Sequence, residues 1–321
     1  MKVRRRSSAV QPVKTKPSKI KTMRGLREFA YIVPFLLLIF IFSYYPLYGW
    51  IYAFFDWRPP FPLTMDKFVG LKWFQSMVEN DIKRRAILNV LRNTFAMSGL
   101  SLLFSWFPMI FAVFLNEIKC KPFKKFVQTV TTLPNFISWV LVYSIAYCIL
   151  NSTGVLNSIL GNLGLIDPNQ PILFLQSTEH VWFKQWLWLT WKNAGWSAIM
   201  YIAAITSIDE QMIEAARIDG ASRLEIIKYV TIPCIMPTYF VLVMLQMSNF
   251  LSNGMEQFFV FENSFNKDYI EVLDLYVYNL AMGSGGYSLS TAISILKSFV
   301  SLVLLFTTNS ISKHVRGEGF I

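Results

Sequence analysis

Long apolar runs separated by short polar stretches dominate the chain. A helix that crosses about 30 Å of hydrocarbon needs about 20 mostly apolar residues. Six segments meet that requirement, at about 29–55, 90–115, 127–150, 184–207, 234–261 and 288–311. The third and fourth carry polar interruptions that their length tolerates. Barrel strands would instead be shorter and alternate apolar with polar positions. The pattern therefore predicts an all-α integral membrane protein with six transmembrane helices. The first run exceeds the roughly 7–15 residues of a signal-peptide core and lacks a small-residue cleavage site after it, so it is expected to remain as an anchor.

Composition agrees. Apolar residues make up 54% of the 321 positions, charged residues only 15%, and the mean hydropathy is +0.42, all outside the range of an ordinary soluble domain. The net charge of +11 raises the question of nucleic acid. Its location answers it: Lys2, Arg4, Arg5, Arg6, Lys14, Lys16, Lys19, Lys21, Arg24 and Arg27 crowd into residues 1–28, directly before the first apolar run. Such a tail reads as a cytoplasmic anchor drawn to anionic lipid, with no nucleic-acid-binding motif in it. Further positive charge falls at Lys119, Lys121, Lys124 and Lys125, in the stretch around 208–233, and at Lys313 and Arg316. The segments 151–183 and 262–287 hold a single basic residue, Lys267. The first outer segment is the exception, with Lys83, Arg84 and Arg85 close to the second span; the overall bias still predicts both termini inside the bacterial plasma membrane. The expected organisation is a basic tail, 1–28, and a transmembrane domain, 29–321, with its core at about 86–311. Cys120, Cys148 and Cys234 are odd in number and far apart, and His180 and His314 are isolated, so neither a disulfide nor a metal site is expected.

One polar segment, 208–233, has the pattern of two short helices. Glu214, Ala215 and Ala216 favour helix, and Gly220, after Asp219, suits a left-handed turn. A second helix is expected from Ser222 to Thr231, with Leu224, Ile227 and Val230 at helical spacing and Pro233 closing it at the next span. Glu214-Ala215-Ala216, three residues, Gly220, nine residues, then Val230-Thr231-Ile232-Pro233 resembles the EAA loop of ABC importer permeases. Val230 and Ile232 depart from the family pattern conservatively. An amphipathic connector between spans is the plainer alternative.

The resemblance extends from the second span onward. The stretches Leu133–Trp139, Trp191–Ile205, Asn253–Phe261 and Leu273–Leu280 are similar to binding-protein-dependent carbohydrate permeases, most of all those of Gram-positive bacteria that take up polysaccharides or complex oligosaccharides. The resemblance implies a type I importer permease fold (MetI-like) whose EAA loop sits in a cleft of an ATPase. It also implies a second homologous permease subunit, two ATPase subunits and an extracellular solute-binding lipoprotein, with pectin-derived oligosaccharides such as rhamnogalacturonan fragments as cargo. ATP and Mg would be used by the partner ATPase subunits. This chain lacks a phosphate-binding loop, since Gly283-Ser284-Gly285-Gly286 has no following lysine. That glycine run is expected to be the turn into the sixth span. No catalytic activity is expected.

Polar groups inside a bilayer usually face a cavity or a neighbouring helix. Gln246, Asn249, Asn253 and Glu256 recur every three or four residues, which places them on one face if the fifth span is a continuous helix. Amides and a carboxylate suit sugar hydroxyls, although interhelical hydrogen bonding would use the same groups. Lys297, about ten residues into the sixth span, calls for a partner, and Glu256 is the expected one by depth. Trp182, Trp186 and Trp188 suit an interfacial belt. Trp191 and Trp196 lie deeper and could stack on a pyranose ring or pack between helices. A secondary transporter, a channel, a membrane glycosyltransferase and an ABC permease for a non-sugar solute remain the rivals. The first two predict an inverted repeat or an ion-coupling carboxylate site, and the third a carboxylate or metal-ligand cluster at a membrane face.

Overall fold

The computed structural model describes residues 19–316, with side chains from 28 to 314. Of the basic tail expected over 1–28, residues 1–18 lie outside the described residues, and 19–28 form the start of the first helix. The chain forms two compact units that divide between Ile51 and Tyr52.

The first unit is helical. α1 (Lys19–Ile39) continues through a wide turn at Phe40–Tyr44 into a tighter helical stretch, Tyr45–Phe54, whose last three residues open the second unit. The second unit runs α2 (Lys72–Glu79), α3 (Asp81–Leu103), α4 (Phe107–Glu117), α5 (Lys121–Thr132), α6 (Trp139–Leu150), α7 (Val155–Asn162) and α8 (Val181–Thr206). It continues with α9 (Glu210–Ile218), α10 (Arg223–Ile226), α11 (Ile232–Ser248), α12 (Glu256–Phe261), α13 (Lys267–Ile270), α14 (Leu273–Met282) and α15 (Tyr287–Arg316). Among the described residues the only β pairing is a single bridge between Phe55 and Phe68. The all-helical architecture expected from the sequence holds.

Among the described residues, five helical stretches are long and apolar enough to cross a membrane: Glu28–Phe54, Asp81–Glu117, Trp139–Asn162, Arg223–Ser248 and Tyr287–His314. α8, 26 residues long, would reach about 39 Å at 1.5 Å per residue but is more polar than these five. Its polarity follows from its place. α8 packs against α3, α4, α5 and α11, and buries Gln185, Lys192 and Tyr201 among them. The outer surfaces of the other helices are apolar instead: Phe95, Phe114, Val140, Leu245, Phe299 and Phe306 are exposed. In water this would be an aggregating surface; in hydrocarbon it is the natural one.

Three expected spans are interrupted, and proline accounts for two of the breaks. Pro108 cannot donate to the Phe104 carbonyl, and the chain turns at Phe104–Trp106 between α3 and α4. Pro134 likewise ends the α5 segment, which passes through a tight turn at Leu133–Phe136 before Ser138 caps α6. In the fifth expected span α11 stops at Ser248, and residues 249–255 are non-helical before α12. Gly254 there has φ +77°, a conformation open to glycine and costly for most other residues. The expectation of a continuous helix over 234–261 is therefore corrected. Gly283–Gly286 does form the turn between α14 and α15.

Candidate functional site

The segment 208–233 is built by local hydrogen bonding. Asp209 caps α9 by accepting from the Gln211 N–H at 2.9 Å. At the other end the Gly220 N–H donates to Arg217 O (3.1 Å) and the Ala221 N–H to Ala216 O (3.0 Å). Together with φ +83° at Gly220, this is a Schellman closure, with Asp219 as the last helical cap. Ser222 then opens α10 through a capping box. Its N–H donates to Glu225 Oε2 at 2.7 Å, while the Glu225 N–H donates to Ser222 Oγ at 3.4 Å. Two stop-and-start signals one residue apart fix the corner of the hairpin.

Its surface is apolar where a lone chain would be polar. Ile218 is 86% exposed and Leu224 74%, on either side of the corner, with Met212 and Tyr229 exposed nearby. Glu214 and Ala215 are also exposed, with Ala216 half-buried. Pro233 does not close the second helix, as the sequence had implied. The Ile232 N–H donates to Ile227 O, five residues back, and this widened turn at Ile227–Thr231 carries α10 into α11 without a break. A wide turn leaves room for the proline ring and for the bond it cannot make.

Within the helical layer, α3, α4, α8 and α11 line an open cavity of about 410 Å³. Asn193, Trp196 and Gln246 line it, with Ser105, Trp186 and Tyr201. Trp186 packs on Phe104 with ring centroids 4.4 Å apart, and Ser105 Oγ bonds the Tyr239 hydroxyl at 3.0 Å. Of the polar stripe expected on the fifth span, only Gln246 reaches this cavity. Asn249 terminates α11, its amide Nδ2 donating to Leu245 O at 3.0 Å. Asn253 donates to Ser98 Oγ at 2.9 Å and so ties the break to α3. Glu256 begins α12 and is exposed. Trp191 packs edge-on against Trp188 outside the cavity, at 5.9 Å.

Lys297 pairs with Asp274 of α14, not with Glu256. The second oxygen of Asp274 accepts from the Gly254 N–H at 3.0 Å, so one carboxylate joins α14, α15 and the break after α11. Depth alone pointed to the wrong acid because the helix break moves Glu256 away from the face that counting assigned it. A second lysine escaped the sequence reading altogether. Lys192, 7% exposed, donates from Nζ to the carbonyls of Pro134 (3.1 Å), Asn135 (2.8 Å) and Ile137 (2.5 Å). It occupies the backbone acceptors that the break between α5 and α6 leaves open. Beside it Asn135 donates to Asn193 Oδ1 at 3.0 Å, and a Cβ on Gly195 would collide with the Thr131 carbonyl. A lysine in the middle of a span, opposite a proline in the preceding one, was the available signal. Among the described residues no cluster of His, Cys, Asp and Glu could hold a metal ion.

The sequence profile of the family described as "binding-protein-dependent transport system inner membrane component" matches residues 109–317. The protein LplB of Bacillus subtilis is 34% identical over 96% of this chain and 96% of its own length. The polygalacturonan/rhamnogalacturonan transport system permease protein YteP of the same organism is also 34% identical, over 95% of this chain and 94% of its own. In a crystal structure of a bacterial ABC transporter involved in import of the acidic polysaccharide alginate, one chain superposes with a TM-score of 0.81 at 31% identity. The match covers 92% of this chain and 98% of that one. A further structure, of the alginate transporter with its pentasaccharide-bound periplasmic protein, gives 0.82 at 30% identity, covering 95% of this chain and 100% of that one. With fold, profile and full-length relatives in agreement, the chain belongs to the inner-membrane permease components of binding-protein-dependent ABC importers, which are not enzymes.

Proposed function

We propose that this permease carries oligosaccharides, pectin-derived ones foremost, and is driven by ATPase subunits that dock on the α9–α10 hairpin. The observation that carries the coupling assignment is the hairpin's corner. Its backbone is fixed by the Gly220 and Ser222 caps, and it presents Ile218 and Leu224 to whatever covers it. A rigid corner with an apolar tip transmits a push from a partner; a flexible polar loop would absorb it. Glu214 offers that partner a charge contact.

In this reading the complete importer contains a second, homologous permease, two ATPase subunits and an extracellular solute-binding lipoprotein, with both termini of this chain in the cytoplasm. Closure of the ATPase pair rocks the permease helices, and the cavity between α3, α4, α8 and α11 is exposed to each side in turn. Its amides, hydroxyls and tryptophans match the hydroxyls and C–H faces of sugar rings. The names of the Bacillus relative and of the alginate transporter support a polysaccharide-derived cargo.

ATPase activity tests the assignment. The subunit is purified alone and, separately, with its partner permease, a sugar-importer ATPase and a binding protein loaded with pectic oligosaccharides. Hydrolysis confined to the full assembly and stimulated by the loaded binding protein is the expected result. An assembly that no loaded binding protein stimulates refutes the cargo, and failure to bind any ATPase with the hairpin intact refutes the coupling.

A further inference from the structure

We infer that the permease carries a second sugar site, specific for a neutral pyranose unit, in a cavity of about 270 Å³ between the end of α6 and the segments 173–176 and 263–265. The inference rests on the proposed importer role and orientation, which place these segments on the outer face. The site shares no lining residue with the cavity between α3, α4, α8 and α11.

Three aromatic side chains, Tyr143, Tyr147 and Phe265, line the cavity with Asn151, Ser152 and Gln176. The frame is fixed. Tyr143 rests edge-on against the buried Phe261 at 5.1 Å, and Tyr147 follows one helical turn later at 6.3 Å. Asn263 staples the two segments together, donating to Leu175 O at 2.9 Å and accepting from the N–H groups of Phe265 (3.0 Å) and Asn266 (3.1 Å). Asn151 Oδ1 accepts from the Thr153 N–H at 2.6 Å, which sets the direction of its amide.

The functional atoms are left open. Among the described residues, the hydroxyls of Tyr143, Tyr147 and Ser152, the Gln176 amide and Asn151 Nδ2 make no hydrogen bond within the protein. Groups that donate and accept, set beside aromatic faces, match the alternating hydroxyls and C–H patches of a pyranose. No charged side chain lines the cavity, whereas a uronate carboxylate would call for arginine or lysine. The volume lies below the roughly 300–1,000 Å³ of sites that enclose a whole ligand, so one or two rings enter while the rest of the oligosaccharide stays outside.

Saturation-transfer NMR on the complete transporter in nanodiscs, without binding protein or nucleotide, tests this. The probes are β-1,4-galactotetraose, which is neutral, and tetragalacturonate, which is acidic. Galactotetraose should show contacts that fall at least fivefold in the double variant Tyr147→Ala/Gln176→Ala. They should persist in Leu163→Ala, which removes an exposed side chain that lines neither cavity. No contact in the wild type, contact that survives the rim variant, or preference for tetragalacturonate overturns the site. So does a rim variant that weakens docking of sugar-free binding protein while sugar contact is unchanged, because the surface is then a protein contact. If galactotetraose binds the rim but no loaded binding protein stimulates ATP hydrolysis, the proposed cargo fails and the sugar site stands.

Discussion

A single dihedral angle carries much of the hairpin. Gly220 sits at φ +83°, and a Cβ built there would meet no atom within 4 Å. Any penalty for substitution is therefore conformational, without a steric collision. An L-residue in the left-handed region costs about 1–2 kcal/mol, which lowers the population of the correct corner by a factor of about 5–30. Asparagine tolerates that region far better than a β-branched residue does. Sugar-stimulated ATPase activity of the reconstituted importer should accordingly fall about tenfold in Gly220→Val and stay above half in Gly220→Asn, with membrane insertion of both unchanged. Equal losses in the two variants would mean that the turn geometry is not what the corner contributes.

At the level of elements, the broken helices matter more than the whole ones. Each break leaves backbone groups without intrahelical partners, and in a membrane these need a replacement close by. Lys192 supplies it for the α5–α6 break, and Asp274 for the one after α11, where it also holds Lys297. Lys297 and Asp274 are 18% and 20% exposed at the side chain. Removing one member of a fully buried pair costs about 3–5 kcal/mol, and the remaining access to solvent reduces that here. Lys297→Met should lower the thermal unfolding temperature of the purified protein. Adding Asp274→Asn should recover most of the loss, since the amide still accepts from the Gly254 N–H. Adding Glu256→Gln should recover nothing. Recovery with Glu256→Gln instead would restore the pairing that helical counting gave and refute the one described above. That counting failed for a definite reason. Hydropathy registers the apolar content of 234–261 but not where the backbone leaves the helix, and Gly254 alone was a weak mark of it. The corner at Gly220 was legible because both of its signals, glycine after a helix and Ser-x-x-Glu before the next, are strictly local. The lysine and aspartate partnerships were not, because they join residues 20 to 58 positions apart.

For the whole molecule, the distribution of charge sets the direction in which the protein works. The hairpin can meet an ATPase only if residues 208–233 face the cytoplasm, and the outer sugar site exists only if 151–183 and 262–287 face the other way. Lys119, Lys121, Lys124 and Lys125 lie on the side that the positive-inside rule assigns to the cytoplasm, whereas Lys83, Arg84 and Arg85 oppose it. In the fold Arg84 pairs with Asp81 at 2.6 Å and the Lys83 ammonium lies over the Trp73 ring at 5.2 Å. Acidic neighbours count little in the positive-inside rule, so this run remains an exception that the rest of the chain outweighs. The three cysteines permit a direct test, because all are free and exposed. In a variant that keeps only Cys120, beside the lysine run, a membrane-impermeant maleimide should label inside-out vesicles and leave intact cells unlabelled. An engineered cysteine at Ser152, on the outer rim, should show the reverse. The opposite labelling of both would turn the molecule over and remove the hairpin from the compartment that holds ATP. Labelling of Cys120 and the position-152 cysteine from the same side would mean that the chain between them crosses the membrane an even number of times, and the arrangement of spans from α5 onward would have to be redrawn.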